Sequence, residues 1–196
     1  MTRLPHAVAA LVLFLVLASG VSKASAQGSW PATFIQVATG FSGPTGEWSD
    51  QAEGGIGLSA MVAVAYRPSL QLSLEYARYG FDCPGGSACD FGAQNWTATS
   101  VRGQAEYRFA DLNGMRPWVR AGISNNRIYF DSTPQFESHR AFGFVGGAGF
   151  EVGVGNSTSV LIGGRGERFN STLPSDGGDV TVAFWAADFA FRFRVH

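Results

Sequence analysis

The sequence of 196 residues contains only two cysteines and three histidines, and it has no lysine after Lys23. Two cysteines without further nearby ligands do not make a typical metal site. The chain also lacks the basic patch that marks a nucleic-acid-binding protein. We therefore expect no metal, no cofactor and no nucleic acid among its ligands.

The sequence after the N-terminus also lacks an apolar run of about 18 residues, so no membrane-spanning helix is predicted there. The first 26 residues have the parts of a secretory signal peptide: Arg3, an apolar run at 7–18 and the small residues "ASA" at 24–26. The apolar run is shorter than the roughly 20 residues that a spanning helix needs. We predict a signal peptide at 1–26 and a mature domain at 27–196.

The two cysteines lie in "FDCPGGSACDF", where Pro84 and Gly85 predict a turn between them. In an exported protein, two cysteines that can meet are expected to form a disulfide. We therefore predict a disulfide between Cys83 and Cys89. Without Arg3 and Lys23, 12 of the 14 basic residues remain against 15 carboxylates, which gives the mature chain a net charge of about −3.

Apolar residues of the mature chain recur with period two between clusters of Gly, Pro, Asn and Asp, which is typical of strands and turns. Short connections ("RPS", "ADLNG", "GVGNST") alternate strictly with longer ones ("SGPTGEWSDQAEG", "FDCPGGSACDFGA", "DSTPQFES", "NSTLPSDGG"). This alternation is typical of an up-and-down barrel that crosses a membrane. We predict an all-β fold, an eight-stranded antiparallel up-and-down transmembrane β-barrel. Its strands are expected at about 33–42, 55–66, 70–80, 94–109, 116–130, 139–153, 158–169 and 179–195.

The last segment, "VAFWAADFAFRFRVH", raises the question of which face points inward. The polar faces of the segments are mostly Gly, Ala and Ser with scattered Arg and Glu, whereas the surface of a soluble domain carries far more charge. The narrow interior of an eight-stranded barrel needs small side chains and a few paired charges. We therefore predict that Trp185, Phe191 and Phe193 face lipid and that the polar face lines the lumen.

Charges enclosed in a lumen are costly unless they are paired. We therefore predict a network of ion pairs along the barrel axis. Its members are Glu75, Arg102, Glu106, Arg108, Arg120, Glu151, Arg165, Glu167, Asp188, Arg192 and Arg194. Trp96, Tyr107, Trp118 and Tyr129 lie near strand ends and are predicted to form the interfacial girdles of aromatic residues.

With a signal peptide, eight alternating strands and a final aromatic strand, the chain resembles the small eight-stranded outer-membrane β-barrels of Gram-negative bacteria. This family includes the transmembrane domain of outer-membrane protein A and the opacity-type "porin family" proteins. The resemblance implies a lone barrel in the outer membrane, surrounded by its lipid. It also implies that the barrel-assembly machinery reads the C-terminal strand. Phe189, Phe191 and Phe193 alternate there, although the family usually ends on an aromatic residue and this chain ends on His196.

Three functions remain open at this level. A packed lumen favours a non-enzymatic barrel that acts structurally or through its outer loops, by adhesion or another extracellular contact. A soluble, lipocalin-like carrier of small ligands would invert the two faces. A lipid-modifying barrel enzyme would use Ser138 or His139, but adjacent residues on a strand point to opposite faces and do not build a catalytic triad.

Overall fold

A computed structural model describes residues 31–50, 52–82, 95–130, 136–172 and 179–195. The predicted signal peptide and both cysteines lie outside the described residues, as does His196. Within the described ranges, no helix has the length and hydropathy needed to cross a membrane.

The described residues form nine strands, and all but one of them match a segment expected from the alternating pattern. The sequence pattern predicted neither the two-residue strand β6 nor a short 3₁₀ helix at Gly46–Asp50. The strands are β1 (Ala32–Thr45), β2 (Gly55–Arg67), β3 (Leu70–Asp82), β4 (Asn95–Arg108), β5 (Met115–Phe130), β6 (Phe136–Glu137), β7 (Ala141–Gly153), β8 (Thr158–Thr172) and β9 (Asp179–Arg194).

The eight long strands close into a barrel. Each strand pairs antiparallel with its neighbours in the order β4-β3-β2-β1-β9-β8-β7-β5, and pairing of β4 with β5 joins the two edges. The short strand β6 pairs only with the end of β5. Closure leaves every long strand with a partner on both sides, which is the condition for a sheet to cross lipid. The predicted eight-stranded up-and-down barrel is confirmed.

The connections divide the barrel into two ends, which we call the turn end and the loop end. The turn end carries the links β2–β3, β4–β5 and β7–β8 together with the start of β1 and the finish of β9. The turn between β4 and β5 contains Asn113 and Gly114, both with positive φ, between the bridged residues Leu112 and Met115. This is the backbone of a two-residue hairpin turn, in which an Asn-Gly pair is strongly favoured. The other connections lie at the loop end, where β1, β3 and β8 extend past the ends of their predicted segments.

Side chains of alternate residues point outward and inward, and the two sets differ in size and polarity. The outward set is apolar and exposed: Phe142 and Phe144 are 78% and 75% exposed, and Phe191 and Phe193 about half that. The inward set mixes charged side chains with glycines. Gly149 and Gly163 lie against the inward indole of Trp118, where an added Cβ would overlap the ring. Glycine is needed at these two positions because the lumen is narrow.

Candidate functional site

The middle of the lumen contains a first cluster of ion pairs. Arg102 pairs with Glu167 and lies 3.5 Å, measured from Nη1, from Oε2 of Glu75. Arg165 joins the same carboxylate from the other side, with 2.8 Å between its Nη1 and Oε1 of Glu75. Its Nε lies 2.6 Å from Oδ2 of Asp188. Two arginines are thus shared among three carboxylates, and all but Asp188 are buried.

A second cluster lies nearer the turn end. Arg192 makes a two-pronged contact with Glu106, with both Nη–Oε distances at 3.0 Å, and its Nη1 also lies 3.1 Å from Oε2 of Glu151. Arg120 and Arg108 approach Glu106 as well, at 2.9 Å from Nη2 and 3.0 Å from Nε. The planar fork of arginine suits such bidentate contacts with a carboxylate. Here three arginines share two carboxylates.

The register of the sheet brings these charges together. Glu75 lies directly opposite Arg102 across β3 and β4, and Glu106 lies opposite Arg120 across β4 and β5. Opposite charges in directly facing positions of neighbouring strands attract each other. Longer contacts such as that of Arg192 with Glu106 cross the lumen, because β9 and β4 are not neighbours in the sheet. Closure of the barrel is therefore needed to complete the pairing.

Neutral polar side chains supply further hydrogen bonds to the charged groups. Gln36 accepts hydrogen bonds from Nε and Nη2 of Arg192, at 3.1 and 2.9 Å. Gln104 donates to Oε2 of Glu75 at 2.6 Å. Ser100 donates to Glu167 and accepts from Arg102. Such hydrogen bonds offset part of the cost of enclosing charged groups at low dielectric.

The two clusters together, which we call the ion-pair core, hold five arginines and five carboxylates. The opposite charges are therefore equal in number, which limits the electrostatic penalty of enclosing them. Their members are Glu75, Arg102, Glu106, Arg108, Arg120, Glu151, Arg165, Glu167, Asp188 and Arg192. Arg194, the eleventh residue assigned to this network from the sequence, has an exposed side chain at the turn end of β9. It lies outside the enclosed core because the strand ends there.

The loop end of the lumen is filled by aromatic side chains, which we call the aromatic layer. Trp48, from the 3₁₀ helix, is fully buried and its ring centroid lies 4.5 Å from that of Phe81. Phe184 packs against Phe81 and Tyr79, with centroids 5.3 and 5.1 Å apart. The Tyr79 hydroxyl accepts a hydrogen bond from Arg102. The first outer loop is thereby anchored inside the barrel, and the aromatic layer rests directly on the ion-pair core.

The prediction of girdles was wrong for both tryptophans. Trp96 is 3% exposed within the aromatic layer, and Trp118 is 5% exposed beneath the guanidinium of Arg120, whose Cζ lies 4.2 Å from the ring centroid. Both share the inward face of their strand with charged members of the core. Tyr107 and Tyr129 lie on the outward face, exposed and half-buried respectively.

Sequence reasoning missed the aromatic layer, although a signal for it exists. Tyr79 and Phe81 continue the inward alternation of Glu75, and Phe184 continues that of Asp188. Following the alternation to the end of each strand would have placed these rings inside. The burial of Trp48 could not be found this way, since it comes from a helix between strands.

The serine and histidine considered as catalytic residues lie near the loop end. The Ser138 hydroxyl accepts a hydrogen bond from the Ile128 amide at 2.9 Å and donates one to the His139 carbonyl at 3.0 Å. Both contacts are to the backbone, so the hydroxyl joins the segment after β6 to β5. In the described part of the chain, no three His, Cys, Asp or Glu side chains are arranged to hold a metal ion.

Comparisons with known proteins agree with this architecture. The family model described as "Outer membrane protein beta-barrel domain" matches residues 9–193. Neisserial surface protein A is a similar solved structure, with a TM-score of 0.63, 16% identity and coverage of 83% of this chain and 96% of that one. OprG from Pseudomonas aeruginosa has a TM-score of 0.54 at 13% identity, covering 88% and 100% of the two chains. Ail of Yersinia pestis has a TM-score of 0.51 at 14% identity, covering 83% and 99%.

No curated protein sequence matches the chain. The solved structures share too little sequence to show more than the fold. The family match covers nearly the whole length of the chain. The exposed apolar outer surface and the closed sheet are typical of a barrel embedded in lipid. The resemblance inferred from the sequence is thus confirmed, and a soluble carrier with inverted faces is excluded. The chain belongs to the outer membrane protein beta-barrel domain family and lies in the outer membrane of Gram-negative bacteria.

Proposed function

We propose that this protein is a non-enzymatic outer-membrane scaffold that acts through its loop-end surface by contact with an extracellular partner. The observation that carries the proposal is the filled lumen. The ion-pair core occupies its middle and turn side, and the aromatic layer occupies its loop end. An eight-stranded barrel has an interior that side chains just fill. Bulk diffusion through it is therefore not its role.

The loop end offers the surface for such a contact. Trp48 anchors the first outer connection, while its neighbours Glu47, Ser49 and Asp50 are exposed. Loops held by a rigid scaffold are where binding residues concentrate. The names of two similar structures, a surface protein and an attachment invasion locus protein, suggest contact at the cell surface. An adhesion-type function is consistent with these features.

The hydrogen bonds of Ser138 support a non-enzymatic role. Its hydroxyl is buried and engaged with two backbone groups, which is a structural use of serine. A nucleophilic serine needs an adjacent base within hydrogen-bond reach. Alanine at Ser138 or His139 is expected to leave the lipid profile of the outer membrane unchanged. A changed acylation pattern would favour the lipid-modifying enzyme instead.

The loop contact is tested by replacing outer connections in cells that display the protein. Glycine-serine segments in place of 83–94, 131–135 and 173–178 are expected to abolish adherence to host cells or extracellular matrix. The matched control replaces the turn-end connection at 154–157 and should retain adherence. A gel-mobility shift on boiling verifies that each variant is folded. Equal adherence of the loop variant and the wild type would contradict the proposal.

The closed lumen is tested separately in planar lipid bilayers. The purified barrel is expected to give no sustained ion current, because charged and aromatic side chains occupy the lumen. A steady conductance that scales with the amount of inserted protein would show that the barrel is a pore.

The outward face of β9 is proposed as the segment that the barrel-assembly machinery reads. Phe189, Phe191 and Phe193 are exposed there in alternate positions. Serine at Phe191 and Phe193 is expected to reduce the fraction of the protein that reaches the outer membrane. Serine at Phe142 and Phe144, which are also exposed but lie on β7, serves as the control. Equal losses would indicate a general requirement for an apolar wall.

A further inference from the structure

The outer wall of the barrel carries an apolar groove on β1, β2 and β3. Its volume is about 580 Å³. Its lining includes the outward side chains of Val37, Ile56, Leu58, Tyr76 and Arg78 together with Gly80. The surrounding wall faces lipid, so acyl chains are the molecules that meet this groove first.

The groove exists because small residues lie among large ones. Ala60 and Gly80 line it, while Leu58 and Tyr76 project from the same face of β2 and β3. A Cβ added at Gly80 would lie 3.9 Å from the Ile56 carbonyl oxygen, an ordinary contact. Nothing in the backbone therefore requires glycine at this position. The missing side chain at Gly80 leaves an indentation in the barrel wall.

Arg78 brings a charge to this apolar wall. It lies opposite Leu58 on β2 and Thr99 on β4, four residues before the loop end of β3. Its side chain is exposed, and within the described ranges it forms no ion pair or hydrogen bond. Arg127, which faces Thr99 from the other side, is by contrast paired with Glu137. The guanidinium of Arg78 is thus available to a group that the described residues do not supply.

The position of Arg78 along β3 indicates which chemical group could pair with its guanidinium. An arginine on the lipid face is costly at the middle of the bilayer and nearly free of penalty at the interface. Arg78 lies four residues from the loop end of β3, so its long side chain can extend towards the headgroup region of the outer leaflet, with the apolar groove beside it. Guanidinium binds phosphate through paired hydrogen bonds.

We propose that this groove is a lipid-binding site for a phosphorylated acyl lipid of the outer leaflet. The phosphate pairs with Arg78 beside Gly80, and one acyl chain lies along Leu58 and Ala60, which continue towards the turn end. This site is independent of the loop contact proposed above. A neutral lipid could fill the groove but would leave the guanidinium of Arg78 without an anionic partner. A second copy of this chain would fit only if it placed a carboxylate beside Arg78.

The test uses the full-length mature barrel, refolded in a neutral detergent and examined by native mass spectrometry. Lipid A and the same lipid without its phosphates are the probes. The wild type should retain the phosphorylated form about fivefold more strongly, the effect expected for one arginine near an anionic headgroup. Arg78→Gln should remove that preference, because the amide keeps most of the length but not the charge. The control is Arg168→Gln, another exposed outward arginine, which lies on β8 away from the groove.

The groove itself is tested by filling it. Gly80→Leu should weaken the retention of both probes, whereas Gly166→Leu on the outward face of β8, where a Cβ also has open space, should not. Heat-induced mobility shifts verify that all variants fold. Equal losses from Arg78→Gln and Arg168→Gln would overturn the site in favour of general headgroup attraction. Lipid retention unchanged by Gly80→Leu, or dimers that Gly80→Leu disperses, would overturn it as well.

Discussion

The ion-pair core and the aromatic layer fill neighbouring parts of one lumen by opposite means. In the core, Glu106 forms ion pairs with Arg108, Arg120 and Arg192. The pairing of this carboxylate therefore depends on residues from several strands. In the aromatic layer, rings such as Phe81 and Phe184 meet through edge-to-face contacts that depend on shape. The core therefore fixes which charge lies opposite which, whereas the layer fixes how much volume is enclosed.

This difference predicts different responses to substitution. Loss of one partner in the core leaves a buried charge uncompensated, so even a substitution of equal size should be destabilising. Loss of ring volume in the layer leaves a cavity, and its penalty should fall as the replacement grows. The four predictions below concern the free energy of unfolding, measured by urea titration of the barrel in detergent micelles or vesicles.

The largest effect is expected for Arg102→Leu. Arg102 is fully buried and contacts Glu75 and Glu167, and its loss would leave Glu167 without its cation. We expect the free energy of unfolding to fall by about 3–5 kcal/mol. The control is Arg168→Leu, which removes an exposed outward arginine and should change little. Comparable losses from the two variants would show that the core does not depend on its pairing.

Trp48→Ala is expected to cost about 3 kcal/mol, at the lower end of the range for a large buried aromatic residue. Its indole packs against Phe81 and Phe184, and its removal would open the loop end of the lumen. The exposed neighbour Glu47 provides the control as Glu47→Ala. If both variants unfold at the same urea concentration, the 3₁₀ helix is not part of the packed interior.

Glu75→Gln preserves shape and removes charge within the core. Because Arg102 and Arg165 share this carboxylate, the substitution should lower the free energy of unfolding by about 2 kcal/mol. Tyr79→Phe, which removes a neighbouring neutral hydroxyl, is the comparison and should have a smaller effect. A neutral outcome for Glu75→Gln would mean that size alone matters at this position.

Phe184→Leu should have the smallest effect, about 1 kcal/mol, because a leucine keeps much of the apolar volume within the aromatic layer. Phe184→Ala should cost distinctly more, since it leaves a cavity. Together these two variants separate volume from ring-specific contact. A Phe184→Leu penalty as large as that of Phe184→Ala would assign the stability to the ring contacts themselves.

Much of the architecture could be predicted because a strand in a lipid-embedded barrel has only two faces. Leu72, Leu74 and Tyr76 alternate with Gln71 and Glu75, and the closed structure keeps that division. Trp96 and Trp118 show the limit of residue-type reasoning. Tryptophan as a residue type favours a membrane interface, but the alternation of each strand places these two side chains inside the barrel. Their position in the alternation decides, because turning one side chain to the other face would turn every side chain of that strand.

The pairing of charges could be predicted only as a set. Facing pairs such as Glu75 with Arg102 follow from the register of adjacent strands, but the register depends on turns and closure. The contact of Arg192 with Glu106 joins residues that are 86 positions apart in the chain, on strands that are not neighbours in the sheet. Neither the periodicity nor the composition of the sequence predicts that these two side chains meet.

The sequence alone determined the number of crossings, the face of each side chain and the membrane as the surroundings, since period-two alternation and turn chemistry are local properties. Only the tertiary structure decided which guanidinium meets which carboxylate, that Trp48 enters the lumen, and that the outer wall is indented beside Arg78. These depend on closure, which brings distant strands around one narrow axis. Their distances are set by the shape of the whole barrel and not by any single stretch of chain.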